Sequence, residues 1–250
     1  MRNRFMLLAV AMALVFWALP VLAESPVSVG VVVWSHDTDM DVDTAADFDG
    51  SDETAEEKAK DWDARGSGVG VRVTYDFPEL ISLFGEIGQG QVTVRDDDFT
   101  DPGMDVQSRG LDDGFYFAFG AQIEGDLGGR DAAFWSAGVK FSSYSADLDE
   151  NVDTSWDYDE TVLSIEGLAG RRIRAVELYG GLRFVQSSAD LDENDLGQLP
   201  GPTFRRIELE REDEIDVVVG AQTKSEQMKG FVELGFIGTL SATAGFSFRF

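Results

Sequence analysis

The last twelve residues, TLSATAGFSFRF, alternate without a break. Ala242, Ala244, Phe246, Phe248 and Phe250 fall on one side of an extended chain, and Thr243, Gly245, Ser247 and Arg249 on the other. A period of two marks a strand with one apolar face. The same alternation sets Val27, Val29, Val31 and Val33 against Ser28, Gly30, Val32 and Trp34, and Val69, Val71, Val73 and Tyr75 against Gly70, Arg72, Thr74 and Asp76. Followed along the chain, it predicts ten strands, near 26–35, 67–77, 80–95, 114–125, 132–145, 160–170, 175–187, 204–223, 229–238 and 240–250. The third is the least regular, because its apolar parity changes between Ile87 and Val92. That change marks either a bulge or the point where the strand leaves an apolar zone.

The N-terminus reads differently. Arg2 and Arg4 precede an apolar run from Phe5 to Leu22, with Val21 and Ala23 as the small residues before a cleavage point. The pattern is that of an export signal, so residues 1–23 are expected to be a signal peptide and 24–250 a single domain. There is no cysteine, which excludes a disulfide-stapled secreted fold. No second apolar run is long enough for a spanning helix. A further membrane crossing therefore needs strands closed into a barrel, the one other structure that satisfies every backbone group in lipid.

The connections alternate in length. Those near 77–79, 125–131, 170–174 and 223–228 are short, and those at 36–66, 96–113, 146–159 and 188–203 are long. Short turns on one side, long loops on the other and an even strand count are the topology of an outer-membrane barrel. With its export signal, strand dyads and the ending GFSFRF, the chain resembles the small outer-membrane β-barrel proteins of Gram-negative bacteria, of the OmpA and OmpX type. The resemblance implies an all-β fold, one antiparallel transmembrane barrel of about ten strands, with eight as the fallback. It also implies an outer-membrane location, lipid as surroundings, and a C-terminal strand (Phe246, Phe248, Phe250) read by the barrel-assembly machinery. A monomer is expected. A soluble periplasmic β-sandwich would show the same alternation, because its inner faces are also apolar.

If the apolar faces meet lipid, the other faces fill the lumen. The charges expected there are Arg72, Glu86, Glu124, Lys140, Glu166, Glu177, Arg183, Asp216, Glu233 and Arg249, with Asp76 beside them. Charges packed in so narrow a barrel must pair, and four bases against seven acids predict a salt-bridged plug with surplus negative charge. The alternative is a narrow cation-preferring channel. Trp34, Tyr144 and Trp156 are expected in an aromatic girdle at the outer strand ends, and Phe77, Trp135 and Phe250 at the inner ends.

The formal charge is −27, and −29 without Arg2 and Arg4, which argues against a nucleic-acid partner. The long connections, the third taken through Glu160, hold 30 of the 47 acidic residues. Within them Asp37, Asp39, Asp41, Asp147, Asp149, Asp190 and Asp192 supply hard oxygen ligands of the kind calcium and magnesium accept, although the spacing is not that of an EF-hand. No cofactor is expected beyond loosely held divalent ions. The phrase SADLDEN occurs twice, at Ser145–Asn151 and Ser188–Asn194, each time after a strand expected to run outward, as duplicated hairpins would give.

Catalysis has one candidate base, His36 in WSHDTD. An outward His beside Asp resembles the ten-stranded omptin proteases, but no second motif supplies paired aspartates. There is no zinc cluster, phosphate loop or nucleophile elbow. The expected protein is thus not an enzyme; its role is structural or in surface interaction through acidic loops to an unspecified extracellular partner. A channel and a surface hydrolase centred on His36 are the alternatives.

Overall fold

The computed structural model describes residues 26–47, 62–77, 81–96, 105–107, 114–128, 133–149, 155–193, 204–211, 214–225 and 227–249. The expected signal peptide and Phe250 lie outside the described residues. Within them the chain is all β: β1 (Val27–Asp47), β2 (Trp62–Asp76), β3 (Ile81–Asp96), β4 (Asp105–Gln107), β5 (Gly114–Asp126), β6 (Ala133–Asp149), β7 (Ser155–Ile173), β8 (Val176–Glu193), β9 (Phe204–Arg211), β10 (Ile215–Lys224), β11 (Met228–Ile237) and β12 (Thr239–Arg249). Every pairing is antiparallel, and β1 closes on β12.

Two closed circuits share these strands. At the level of the short turns, ten strands pair in the order β1, β2, β3, β5, β6, β7, β8, β10, β11, β12 and back to β1. The β11–β12 hairpin is short and stops where Thr38 pairs with Thr239. Above it β1 continues from Met40 and pairs with β9, while β4 bridges β3 and β6, so eight strands close the upper storey. The strand expected at 204–223 is therefore two, β9 in the upper storey and β10 in the lower. Closure leaves no edge exposed in the lower circuit, which is how a barrel avoids unpaired backbone groups.

The faces exchange chemistry between storeys. On β3 the outward residues Ile81, Leu83 and Ile87 are exposed apolar groups, whereas Gln89 and Gln91 continue the same face; inward, Ser82 and Glu86 give way to buried Val92 and Val94. The β2–β3 register runs from Trp62–Asp96 to Asp76–Ser82 without a shift. The parity change at Ile87 to Val92 is thus no bulge, but the strand leaving the apolar zone. On β6, Trp135 and Val139 face out with Lys140 inside; higher up, Ser145 and Asp147 face out with Ala146 and Leu148 inside.

Several segments expected as loops are consequently strand. Both SADLDEN copies begin inside strands, β6 and β8, and flank β7 on its two sides. Their acids made them look like loop. In register, Ala146 and Leu191 pair with Tyr158, and Leu148 pairs with Trp156, all turned inward and buried. The upper storey has a dry core of its own: Met40, Trp62, Val92, Val94, Leu148, Trp156, Tyr158, Leu191, Ile207 and Leu209 form one cluster.

Candidate functional site

The lower storey encloses a polar lumen whose charges are bonded in layers. Nearest the short turns, Arg172 of β7 donates from Nε to Glu177 (2.6 Å), from Nη1 to Asp126 (2.6 Å) and from Nη2 to Glu124 (2.8 Å). Its guanidinium carbon lies 5.5 Å from the Phe134 ring centroid. Gln222 donates to Glu177, and Arg249 bonds Asp76. Higher up, Arg72 pairs with Glu86, which also accepts from the Tyr116 hydroxyl (2.8 Å) and lies 3.7 Å from the Lys140 ammonium. Arg72 is flanked by Phe84 and Phe231 at 4.9 and 5.1 Å. Arg183 bridges Glu166 (2.8 Å) and Glu233. Removed from bulk water, such charges hold only when partnered.

An aromatic layer lies above. Gly66, Gly68 and Gly90 have no side chain to keep the Trp34 ring off the wall, and a Cβ added to Gly68 would sit 2.5 Å from it. Tyr144 lies over Gly114 in the same manner. Ring centroids are 5.4 Å apart for Trp34 and Tyr116 and 6.0 Å for Trp34 and Tyr144. These distances suit offset or edge-on aromatic pairs. The glycines of GEIGQGQ serve this layer through Gly90.

Over the aromatic layer stands the apolar core of the upper storey, which blocks the lumen. Beneath it a chamber of about 680 Å³ runs down to the level of Phe77, Ser225 and Arg249. Seven cationic and seven acidic side chains line the chamber, and the buried Glu86 and Glu177 behind Arg72 and Arg172 leave acid in slight excess in the lumen. The surplus of acid is smaller than expected, because Arg172, expected in a turn, and Arg211, not anticipated, both point inward.

The ten lumen charges named from the sequence are all on inward faces, and each touches an oppositely charged group among those above. Arg172, Arg211, Tyr116 and Glu160 were missed. Arg172 carries a readable signal, since it continues the even parity of Glu166 and Leu168. The outer girdle is corrected as well. Trp34, Tyr144 and Trp156 face inward, because the strands run past the apolar zone before they end; at the lower end Phe77 and Trp135 are exposed.

His36 is not outward-facing. It stacks on Trp34 inside the barrel (centroids 5.5 Å, planes 9° apart), and its Nε2 is buried without a hydrogen-bond partner. Asp37 points to the opposite face and bonds Arg65 at 3.0 Å, so no His–Asp pair forms. Asp39 and Asp41 on β1, Asp147 on β6, and Asp190 and Asp192 on β8 are spread over the outer wall of the upper storey; Asp149 ends β6. Among the described residues no three acidic or histidine side chains converge as metal ligands.

No protein-family model matches the chain, and no curated protein matches it significantly. Solved structures with a similar course include the translocator domain of the autotransporter NalP from Neisseria meningitidis (12% identity, TM-score 0.44, 99% of this chain and 98% of that one). The outer membrane protease OmpT from Escherichia coli (14%, 0.45, 89% and 94%) and the outer membrane protein OprG from Pseudomonas aeruginosa (11%, 0.45, 90% and 96%) also run alongside it. What decides the matter is the chain's own surface. Around the lower storey Val73, Ile87, Phe119, Ile165, Leu182, Val219, Val232 and Phe246 stand 40–59% exposed on a closed antiparallel wall. Water would not tolerate so large an apolar belt, whereas hydrocarbon requires it.

The chain is an outer-membrane β-barrel protein. Its apolar belt replaces the protected core a soluble sandwich would need, so the sandwich reading is discarded. In an outer-membrane barrel the short turns are periplasmic and the longer connections extracellular. The chamber opens at the end that carries the short turns, and the upper storey stands at the opposite end.

Proposed function

We propose that the protein is a non-conducting outer-membrane anchor whose working part is the acidic exterior of its extracellular storey. The observation that carries this reading is the apolar core across the outer end of the lumen, from Met40 and Trp62 to Leu191 and Leu209. Ions do not cross a packed, dry layer of that kind. The expected readout is a silent planar bilayer after reconstitution. Stable single-channel steps that favour potassium over chloride would overturn the anchor reading.

Catalysis by His36 is not part of this proposal, since its ring is stacked under the cap and its neighbour Asp37 faces away. Calcium and magnesium are proposed to associate diffusely with the outer carboxylates, without a built site. A saturable shift of the thermal midpoint in calcium would contradict that. Cleavage after Ala23, a monomer, and recognition of Phe246, Phe248 and Phe250 by the assembly machinery complete the proposal. Intact mass, light scattering in detergent and a Phe248→Ser assembly assay test these three in turn.

A further inference from the structure

Among the described residues one buried acid in the chamber lacks a cation. Glu86, Glu177 and Asp216 each touch an arginine or lysine. Glu160, 6% exposed, accepts a hydrogen bond from the Ser187 hydroxyl at 2.9 Å and has no cationic partner among the described residues. A carboxylate held out of water in this way is uncompensated.

Its surroundings are aromatic. Tyr144 pairs with Glu160 across β6 and β7, and Tyr116 pairs with Tyr144 across β5 and β6, all three turned inward. Trp34 closes the group from β1, and Tyr158 lies 6.1 Å from Tyr144 on the cap side. Glu160, Ser187, Tyr116, Tyr144 and Trp34 all line the chamber. Ring faces attract cations, most strongly where water is excluded. The fold already contains such a contact, for the Lys140 ammonium lies 5.6 Å from the Tyr116 centroid.

We propose that Glu160 anchors a binding site for a small organic cation, an amine or quaternary ammonium group that enters from the periplasmic end of the chamber. The carboxylate supplies the counter-charge and Trp34, Tyr116 and Tyr144 the ring faces. An inorganic divalent ion would need six or more oxygen ligands, and here only Glu160, Ser187 and the phenol tips offer them.

The test is a titration of the whole refolded barrel in detergent micelles with tetramethylammonium chloride at constant ionic strength. Tryptophan fluorescence and the thermal midpoint are followed. Wild type is expected to respond saturably, and Glu160→Gln to weaken binding about tenfold or more, as loss of a charged partner does. Without ligand, Glu160→Gln is expected to melt at or above the wild-type temperature, because the uncompensated charge is gone. Tyr144→Phe keeps the ring and the affinity; Tyr144→Leu loses affinity, and it carries the test should Glu160→Gln fail to fold. No saturable response in wild type, equal affinity in Glu160→Gln, or displacement of tetramethylammonium by equimolar sodium or calcium would each overturn the proposal. None of these readouts depends on whether the barrel conducts.

Discussion

Arg211 at the end of β9 is bonded to Asp216 at the start of β10, across the break that separates the two storeys. Arg211 is in register with Met40 of the upper circuit, and Asp216 also accepts the Thr239 amide at 3.0 Å from the tip of the β11–β12 hairpin. Both side chains are 3% exposed. The pair therefore fastens the eight-stranded storey to the ten-stranded one where the hairpin drops out.

Breaking a buried pair by removing one partner costs about 3–5 kcal/mol, because the other charge is left alone. Arg211→Met and Asp216→Leu are each expected to destabilise by that amount. The double variant is expected to recover a large part of the loss. Urea unfolding in detergent, followed by the gel-mobility difference between folded and unfolded barrel, measures all three. Additive losses in the double variant would show that the two side chains act independently.

The repeated SADLDEN phrases divide by face. Leu148 and Leu191 are fully buried in the upper core, so Leu→Ala at either is expected to cost about 2–5 kcal/mol. Asp159 pairs directly with Asp190, and Asp157 with both Asp147 and Asp192. Like charges placed opposite one another are destabilising, so Asp157→Asn is expected to leave stability unchanged or raise it slightly at low salt. The same unfolding assay in low and high salt checks both halves. A loss on Asp157→Asn as large as that on Leu191→Ala would mean the outward acids hold the storey together.

How much of this was legible follows from where alternation carries one meaning. Through the membrane zone it does: the outward positions are apolar over ten strands, and Arg72, Glu86, Arg183 and Glu233 fall inside by parity alone. Above the belt the alternation continues with its chemistry exchanged. Asp147, Asp190 and Asp192 then read as loop, although Ala146, Leu148, Ala189 and Leu191 beside them form the core. Trp34, Tyr144 and Trp156 were misplaced for the same reason, since an aromatic near the end of a greasy strand suits a headgroup zone as well as a plug. Arg211 had no local signal; its partner is set by the break between β9 and β10, a feature of closure.

Leu182 and Arg183 show how strictly the two faces are separated. Leu182 is 59% exposed in the belt, while Arg183 bonds Glu166 and Glu233 inside. Leu182→Arg is expected to cost about 2–4 kcal/mol, the range for a cation facing lipid near mid-bilayer, whereas Leu182→Phe is expected to be close to neutral. Spin labels at Val71, Phe117 and Leu182 are expected to be relaxed by oxygen dissolved in lipid and not by aqueous nickel chelates. Accessibility to the nickel reagent at all three would place this face in water.

The tight β11–β12 turn carries a strain that its sequence conceals. Glycine is the residue that tolerates positive φ, and Gly238 occupies the turn, yet the positive value belongs to Ile237, at φ 94°. A β-branched side chain in that region is strained by about 1–3 kcal/mol. Ile237 is 70% exposed, so little contact with the rest of the protein is lost on removing it. Ile237→Gly is therefore expected to stabilise the barrel by about 1 kcal/mol, after the greater chain entropy of glycine is subtracted. Thermal unfolding of this variant beside wild type decides it: destabilisation by Ile237→Gly would mean that contacts of the isoleucine side chain outweigh the strain in its backbone.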